Sequence, residues 1–485
     1  MPACCALVQI PAMPAAIETD YLIIGAGAAG LAFADTLLTE SDAHITIVDM
    51  RSQVGGHWND AYPFVALHQP SAFYGVNSLE LSSGRKYTAG ANAGMYEMAS
   101  GTQVLAYFQR VMDEKLLPNG RVVYRPMSQL ADGHRIVSLL NGAETPVTVR
   151  RKVVDATRFS PRVPATEPPP FAVVDGAQVV SPSGLTQRWQ GARAGERVPA
   201  HYCIVGAGKT GMDTGVWLLE QGVAPEQISW VMPRDSWIVN RVTTQNGPEF
   251  FDEAIGGALR QLQALAEAKD IDDLFLRLEA TGQMLRIDPK VTPRMCHFAT
   301  ISEGEVAVLR RIPHIIREGR VQAINREGLT FASGATVRMP ANTLYINCTA
   351  SAIDVLANNE PIFQPGKIVP QLVRAPLVSF SCAMVAYVEA HYDDDAQKNA
   401  LCRPVPLKGD LPGYVRTNQL NLVNQAAWSQ DKGLRNWMRN IRLDAFSALV
   451  ASVAPTETDK INILGQLRAA SMAAAMNIPK LLAAG

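Results

Sequence analysis

The 485 residues are 47% hydrophobic and 18% charged, which exceeds one ordinary core, excludes a disordered chain and points to two or three domains. A formal net charge of −1 supplies no pull toward nucleic acid or an anionic membrane. The seven cysteines form no Cys-x-x-Cys pair, so a zinc ribbon or dithiol redox centre is not expected; their odd count and scatter fit reduced thiols in a cytoplasm.

Residues 1–19 are apolar, contain Pro2, Pro11 and Pro14, and precede the first basic residue, Arg51; they read as a loose extension rather than a secretory signal. No uncharged apolar run reaches the ~20 residues of a membrane span. The first structured unit is expected to open at Asp20. Tyr21-Leu22-Ile23-Ile24 has the character of a buried parallel strand, Leu31, Ala34 and Leu38 recur at helical spacing, and Ile45-Thr46-Ile47-Val48 is a second buried strand ending at Asp49.

Pro161, Pro164 and Pro168 to Pro170 mark a stiff linker. The pattern then returns: Tyr202-Cys203-Ile204-Val205 as strand, Met212, Val216 and Leu219 on one helix face, and Ile228 to Met232 as strand. Glu249 to Gln283 is helical in pattern, with Leu259, Leu262, Leu265 and Ala266 on one face. Val321 to Val337 reads as short strands turning at Glu327-Gly328 and Ser333-Gly334. After about Pro340 the chain is expected to return to the first unit, and the segment from Asn436 onward is Ala- and Leu-rich and helical.

The expected architecture is therefore α/β, with two Rossmann-like dinucleotide-binding domains. The first is discontinuous, with parts at 20–165 and 339–485, and the second is inserted at 195–338. A helical insertion spans about 249–300, and the C-terminus is helical.

Each unit carries a glycine turn after its first strand. Gly25-Ala26-Gly27-Ala28-Ala29-Gly30 offers a tight turn, close backbone approach to a diphosphate and helix-on-strand packing, while the helix dipole attracts phosphate. Asp49, nineteen positions beyond Gly30, is placed to accept from a ribose 2′-OH. Gly206-Ala207-Gly208-Lys209-Thr210-Gly211 repeats the pattern, with Lys209 adding positive charge beside the diphosphate. Its following strand leads to Met232-Pro233-Arg234 rather than to an acid. A carboxylate there would repel a 2′-phosphate and a guanidinium grips one, so the second unit is expected to take NADP, with NADH the alternative.

These features resemble the two-dinucleotide flavoprotein monooxygenases, which include the flavin-containing, N-hydroxylating and Baeyer–Villiger enzymes. Besides the glycine turns, Asp49-Met50-Arg51 followed by Gly55-Gly56-His57-Trp58 and Tyr62-Pro63 is similar to that group. So are Val153 to Thr157, as the strand leaving the FAD domain, and Tyr345 to Ala350, as the strand re-entering it. The likeness covers most of residues 20 to 385.

The chain departs from the group in two ways. The Phe-Gly-His fingerprint expected near Phe171 to Thr186 lacks its histidine. Ala66 and His68 stand where the Baeyer–Villiger branch carries an arginine and an aspartate.

The resemblance implies FAD on the first unit and NADPH on the second. It also implies hydride transfer to flavin and insertion of one atom of O2 into a small or medium organic substrate through a flavin hydroperoxide. The cofactor residues so implied are Gly25, Gly27, Ala28, Ala29, Gly30, Asp49, Met50, Arg51, Gly56, His57 and Trp58, then Gly206, Gly208, Lys209, Thr210, Gly211, Arg234 and Ala350.

Trp58 is expected to wall the flavin ring or to be a structural tryptophan. His68, with an ordinary pKa near neutrality, is a candidate for proton handling, and Asp60 and Gln69 are candidates on position alone. N-Hydroxylation is favoured over ester formation, because the Baeyer–Villiger residues are missing. The alternatives are a Baeyer–Villiger enzyme, a flavin reductase or electron-transfer protein without oxygen insertion, and a non-catalytic nucleotide-binding partner. No metal is expected: Asp393-Asp394-Asp395 reads as a solvated loop. Apolar faces on the C-terminal helices are candidates for covering the site or for a homodimer contact.

Overall fold

A computed structural model of the chain describes residues 16–132, 134–159, 163–174, 176–190, 198–349 and 360–484. β1 (Ile17–Ile24) and β2 (Ile45–Val48) run parallel, Tyr21 opposite Ile45 and Ile24 opposite Val48, with α1 (Ala28–Glu40) crossing between them. Leu22 and Ile23 are both fully buried although they face opposite sides, as expected of a parallel strand covered on both faces. The ordered strand opens at Ile17, three residues before the expected Asp20, because Ile17 to Thr19 pair with Val147 to Val149 of β6 (Glu144–Asp155).

α2 (Gly101–Val111), closed by a capping box between Ser100 and Gln103, leads to β3 (Val122–Arg125) beside β2. β4 (Ser128–Ala131) and β5 (Arg135–Ser138) form a hairpin against β6. The first sheet is completed from far along the chain by β19 (Phe363–Gln364) and β20 (Lys367–Ile368), in the order β19-β20-β6-β1-β2-β3. α8 (Val378–His391) then packs on α1, burying Phe380, Met384 and Val388 with Leu31, Phe33 and Leu37.

The second unit is built on β9 (His201–Val205), α4 (Lys209–Glu220) and β10 (Ile228–Val231). Its sheet runs β14-β10-β9-β18-β8, with β8 (Gln178–Val180), β14 (His314–Ile316) and β18 (Thr343–Asn347) all parallel to their neighbours.

Two expectations are corrected here. The strand at Tyr345 does not re-enter the first unit: Thr343 to Asn347 pair with His201 to Val205, and the first sheet is regained only at Phe363. β8 also lies upstream of residue 195, together with α3 (Pro182–Gln190), so the second unit draws on chain assigned to the linker. β7 (Ala172–Val173) joins β15 (Val321–Ile324), β16 (Gly328–Phe331) and β17 (Thr336–Arg338) in a side sheet, turning where Gly328 and Gly334 adopt positive φ.

The segment at 249–300 is not all helix. α5 (Gly257–Glu267) and α6 (Ile271–Ala280) are followed by β12 (Met284–Leu285) and β13 (Met295–Ile301), which flank β11 (Ser236–Asn240). α7 (Glu303–Leu309) leads from β13 to β14, its start closed by a Ser302–Glu305 capping box. Of the C-terminal helices, α9 (Asp395–Leu401) is N-capped by Asp394, and Asp395 pairs with Lys152 at 2.6 Å. α10 (Leu411–Gln430) and α13 (Thr458–Ala484) close over α5 and α6, where Tyr414, Val415, Ala474 and Ile478 share a core with Leu265, Leu274 and Phe275. α11 (Lys432–Asn440) and α12 (Ala445–Ala451) join them. Trp237, 1% exposed and stacked on Phe275 at 5.6 Å, belongs to that core rather than to a ligand site.

Candidate functional site: two glycine turns and the cleft between them

Gly25 takes φ +100°, which an L side chain rarely adopts, and a Cβ on Gly30 would lie 1.9 Å from the Gly25 carbonyl oxygen. α1 therefore starts against the end of β1, with Gly27 as its N-cap and no side chain capping it. The first N–H groups of the helix, at Ala28 and Ala29, have no intrahelical acceptor. Asp49 closes the turn from below: its Oδ2 accepts from the Ala26 amide at 2.6 Å and its Oδ1 from the Arg51 amide at 2.7 Å. Each oxygen keeps a second lone pair.

The Gly55-Gly56 bend meets the same turn. The Gly55 amide donates to the Ala26 carbonyl at 2.9 Å, and both Gly55 and Gly56 have positive φ. Arg51 ion-pairs with Asp60 at 2.5 Å, so Asp60 is tied to the first turn, while Met50 is 62% exposed. Trp58 is buried and donates its indole N–H to the Tyr74 hydroxyl at 2.7 Å, with His57 stacked on it at 5.3 Å. Burial, with Arg51 nearby, pushes the His57 imidazole down to about 4.

The second turn has the same construction. Gly206 takes φ +123°, and a Cβ on Gly211 would lie 2.2 Å from the Gly206 carbonyl oxygen. The Trp230 indole N–H donates to that carbonyl at 2.9 Å and pins the turn to β10. Lys209, expected to add positive charge beside the diphosphate, ion-pairs through its ammonium with Asp213, one helical turn along. The Tyr62 hydroxyl, from the first unit, donates to the other Asp213 oxygen at 2.7 Å. The Thr210 carbonyl accepts from Thr214 inside the helix. Arg234 is exposed just past β10 and, among the described residues, makes no hydrogen bond or ion pair. Ala350 lies outside the described residues.

Between the turns, segment 62–69 of the first unit lies on the second. Phe64 stacks on Trp217 of α4 at 4.8 Å and 13°. Arg241, 1% exposed, gathers acceptors from both units. It donates to the His68 carbonyl (3.0 Å), Asn92 Oδ1 (2.5 Å) and the Thr300 carbonyl (3.2 Å), and ion-pairs with Glu305 Oε2 (2.8 Å). The Thr300 hydroxyl also donates to the His68 carbonyl. Burial pushes the Glu305 carboxyl up, but the Arg241 and Lys209 cations outweigh it and hold it down to about 2.

The expectation that His68 titrates near neutrality is corrected: burial, then the Lys209 charge, push its imidazole down to about 3. Gln69 is half-buried next to it. Sequence reasoning missed Asp213, Arg241, Thr300 and Glu305. Only Asp213 left a local trace, as the acid four residues after Lys209.

The residues at both turns fit a dinucleotide diphosphate. A Cβ on Gly208 would meet nothing within 4 Å, so the face of the second turn is open, and both helix starts lack a side-chain cap. At the first turn, Gly27 and Gly56 leave only backbone facing backbone. A partly open cavity of about 210 Å³ is lined by Pro164, Val179, Ser181 and Asn347 among others and by neither glycine turn, so the nucleotide assignment rests on the turns.

The sequence pattern of the NAD(P)-binding Rossmann-like domain family matches residues 23–78. A protein of Mycobacterium tuberculosis H37Rv, "Uncharacterized protein Rv2000", is 44% identical over 438 residues, spanning 90% of this chain and 79% of that protein. Among solved structures, an oxidized steroid monooxygenase bound to NADP is 12% identical with a TM-score of 0.48, over 77% of this chain and 85% of that one. A polycyclic ketone monooxygenase from Thermothelomyces thermophila is 12% identical with a TM-score of 0.47, over 97% and 88%. At those values the structural likenesses carry nothing about this chain's chemistry. The identity to the mycobacterial protein does carry a conclusion: this chain belongs to the family of Rv2000, and its residues 23–78 match a NAD(P)-binding Rossmann-like domain.

Proposed function

We propose that the chain is an FAD-dependent, NADPH-using monooxygenase that inserts one oxygen atom from O2 into a small or medium organic substrate, with hydroxylation at nitrogen favoured. The observation that carries this reading is the pair of uncapped glycine turns with opposite charges beyond their second strands, Asp49 at one and Arg234, unpaired among the described residues, at the other. When bound, FAD and NADPH supply the hydride and oxygen chemistry.

The chain's own residues hold and enclose. The amides at Ala28 and Ala29, and those at Lys209 and Thr210, would hold the two diphosphates. With FAD and NADPH bound, the free lone pairs of Asp49 would accept from a ribose hydroxyl, and Arg234 would hold the 2′-phosphate. The Tyr62–Asp213 bond, the Phe64–Trp217 stack and the Arg241 cluster hold segment 62–69 across the mouth of the second turn and exclude water there. His68, neutral throughout the physiological range, offers a hydrogen bond rather than a transferable proton. Ala66 and His68 in place of an arginine and an aspartate favour attack on an amine over ester formation.

The buried, unpaired thiols of Cys203, Cys296, Cys348, Cys382 and Cys402 suit a reducing cytoplasm, and the exposed Met472 and Met476 of α13 suit a homodimer contact. Among the described residues no helix is long and apolar enough to cross a membrane.

The test is purification with inspection for bound yellow flavin, anaerobic mixing with NADPH, then addition of ¹⁸O₂ with an amine panel. Bleaching followed by one labelled oxygen in an N-hydroxylated product is expected. Bleaching with reoxidation but no labelled product would make the chain a reductase, and absence of bleaching would leave a nucleotide-binding protein.

A further inference from the structure

Arg234 is followed directly by an acid. Asp235 lies four residues beyond β10 and directly before β11, in the stretch past the second strand where an acid in a Rossmann unit can read a ribose 2′-OH and repel a 2′-phosphate. Its carboxylate is 9% exposed and is not presented to that site. Arg317, the first residue after β14, grips it with two parallel bonds: Nε to Oδ2 at 2.9 Å and Nη2 to Oδ1 at 3.0 Å. The same Nη2 reaches Asp288 Oδ2 at 3.1 Å, so the guanidinium is anchored from a third side. The sheet enforces this meeting. β10 and β14 are parallel with Val231 opposite Ile316, and the Met232 amide donates to the Ile316 carbonyl at 2.9 Å, so Met232 and Arg317 leave the sheet at the same edge and Asp235 follows three residues after Met232. One carboxylate is thus turned inward and neutralised while its neighbour Arg234 stays exposed and, among the described residues, without a partner.

We propose that Arg317 is a specificity-determining residue for the second nucleotide turn. By sequestering Asp235 it leaves Arg234 as the charge that meets the 2′ position, and so sets a preference for 2′-phosphorylated nucleotides. This rests on the reading of the second turn as an NADP site. Arg317 acts through Asp235 and does not itself touch the phosphate. Freed of Arg317, Asp235 would present its charge where the 2′-phosphate sits, and the preference would fall by about tenfold, the size of one partly solvated like-charge contact.

The test is calorimetric titration of the full chain with 2′,5′-ADP and with 5′-ADP, which needs no turnover and no flavin. Wild type is expected to prefer 2′,5′-ADP, Arg317→Gln to lose about tenfold of that preference, and the Arg317→Gln/Asp235→Asn pair to recover it. An unchanged ratio in Arg317→Gln, or a double variant that stays as low as the single, would overturn the proposal. Should Arg317→Gln fail to fold, the double variant decides alone: retained preference supports the indirect role and lost preference ends it. Wild type that binds both fragments equally, or neither, would instead bring down the NADP reading itself.

Discussion

A Cβ built on Gly56 would lie 3.0 Å from the Gly27 Cα, so the first glycine turn and the Gly-Gly bend touch through bare backbone. The crowding falls on the bend: a side chain on Gly56 would press on Gly27, whereas a Cβ on Gly27 would lie 3.4 Å from the Gly56 Cα, at ordinary contact. Gly56 also has φ +56°, which costs a non-glycine residue about 1–2 kcal/mol. Gly56→Ala is therefore expected to lower the flavin retained through purification several-fold, read as the 450 to 280 nm absorbance ratio. Binding of 2′,5′-ADP at the second turn should be untouched. Full flavin content in this variant would dissociate the bend from the first nucleotide site.

The Arg241–Glu305 pair makes the junction of the two units sensitive to acid. Glu305 has a folded pKa of about 2 against an ordinary 4.5, so its contribution to stability is complete above about pH 4.5 and is lost as pH falls toward 2. That shift corresponds to about 3 kcal/mol at neutral pH for this residue, which is only 8% exposed. Glu305→Gln should lower the urea midpoint strongly at pH 7, and its gap to wild type should narrow steadily below pH 4.5. A gap independent of pH would mean the loss is one of packing.

The parts of this arrangement that could be read from the sequence are those built by neighbours in the chain. Ile45 to Val48 is strand β2 residue for residue, because a β-branched run, apolar but for Thr46 and ending at an acid, suits a parallel strand covered on both faces. The turns at Gly25 and Gly206 were equally legible, since their glycines are required by local backbone geometry. What escaped was joined across the chain. Arg241 meets His68 across 173 positions and Asn92 across 149, and neither spacing leaves a periodic trace. The strand at Tyr345 has the composition of either sheet; only its register with Cys203 decides between them. His68 looked titratable because its sequence neighbours say nothing of Lys209, which approaches from the other unit.

Arg234 is exposed and, among the described residues, unpaired, so removing it disturbs no protein contact. Arg234→Ala should leave the melting temperature within about 1 °C of wild type, because surface substitutions of this kind stay within ±0.5 kcal/mol. The same change should raise KM for NADPH at least about tenfold, the worth of one charge-assisted phosphate contact, with little effect on KM for NADH. Equal effects on both coenzymes would remove Arg234 from the 2′ position.

His68 gives the opposite kind of pH signal from an ordinary surface histidine. Its folded pKa of about 3 lies below the ordinary 6.5, so the folded state disfavours the proton and the unfolded chain takes it up first. Stability contributed by the neutral imidazole is complete above pH 6.5 and falls as pH drops from 6.5 toward 3, at up to about 1.4 kcal/mol per pH unit. His68→Gln retains a hydrogen-bonding side chain that does not titrate. It should flatten the fall in urea midpoint between pH 6.5 and 5.5, a window in which the Glu305 carboxylate is almost fully ionised in both states. The backbone carbonyl of residue 68 would remain available to Arg241 and Thr300, so the junction itself should survive. An unaltered slope in that window would show that the imidazole reaches water and titrates normally, and the account of His68 as a neutral hydrogen-bonding group in the cleft would have to be given up.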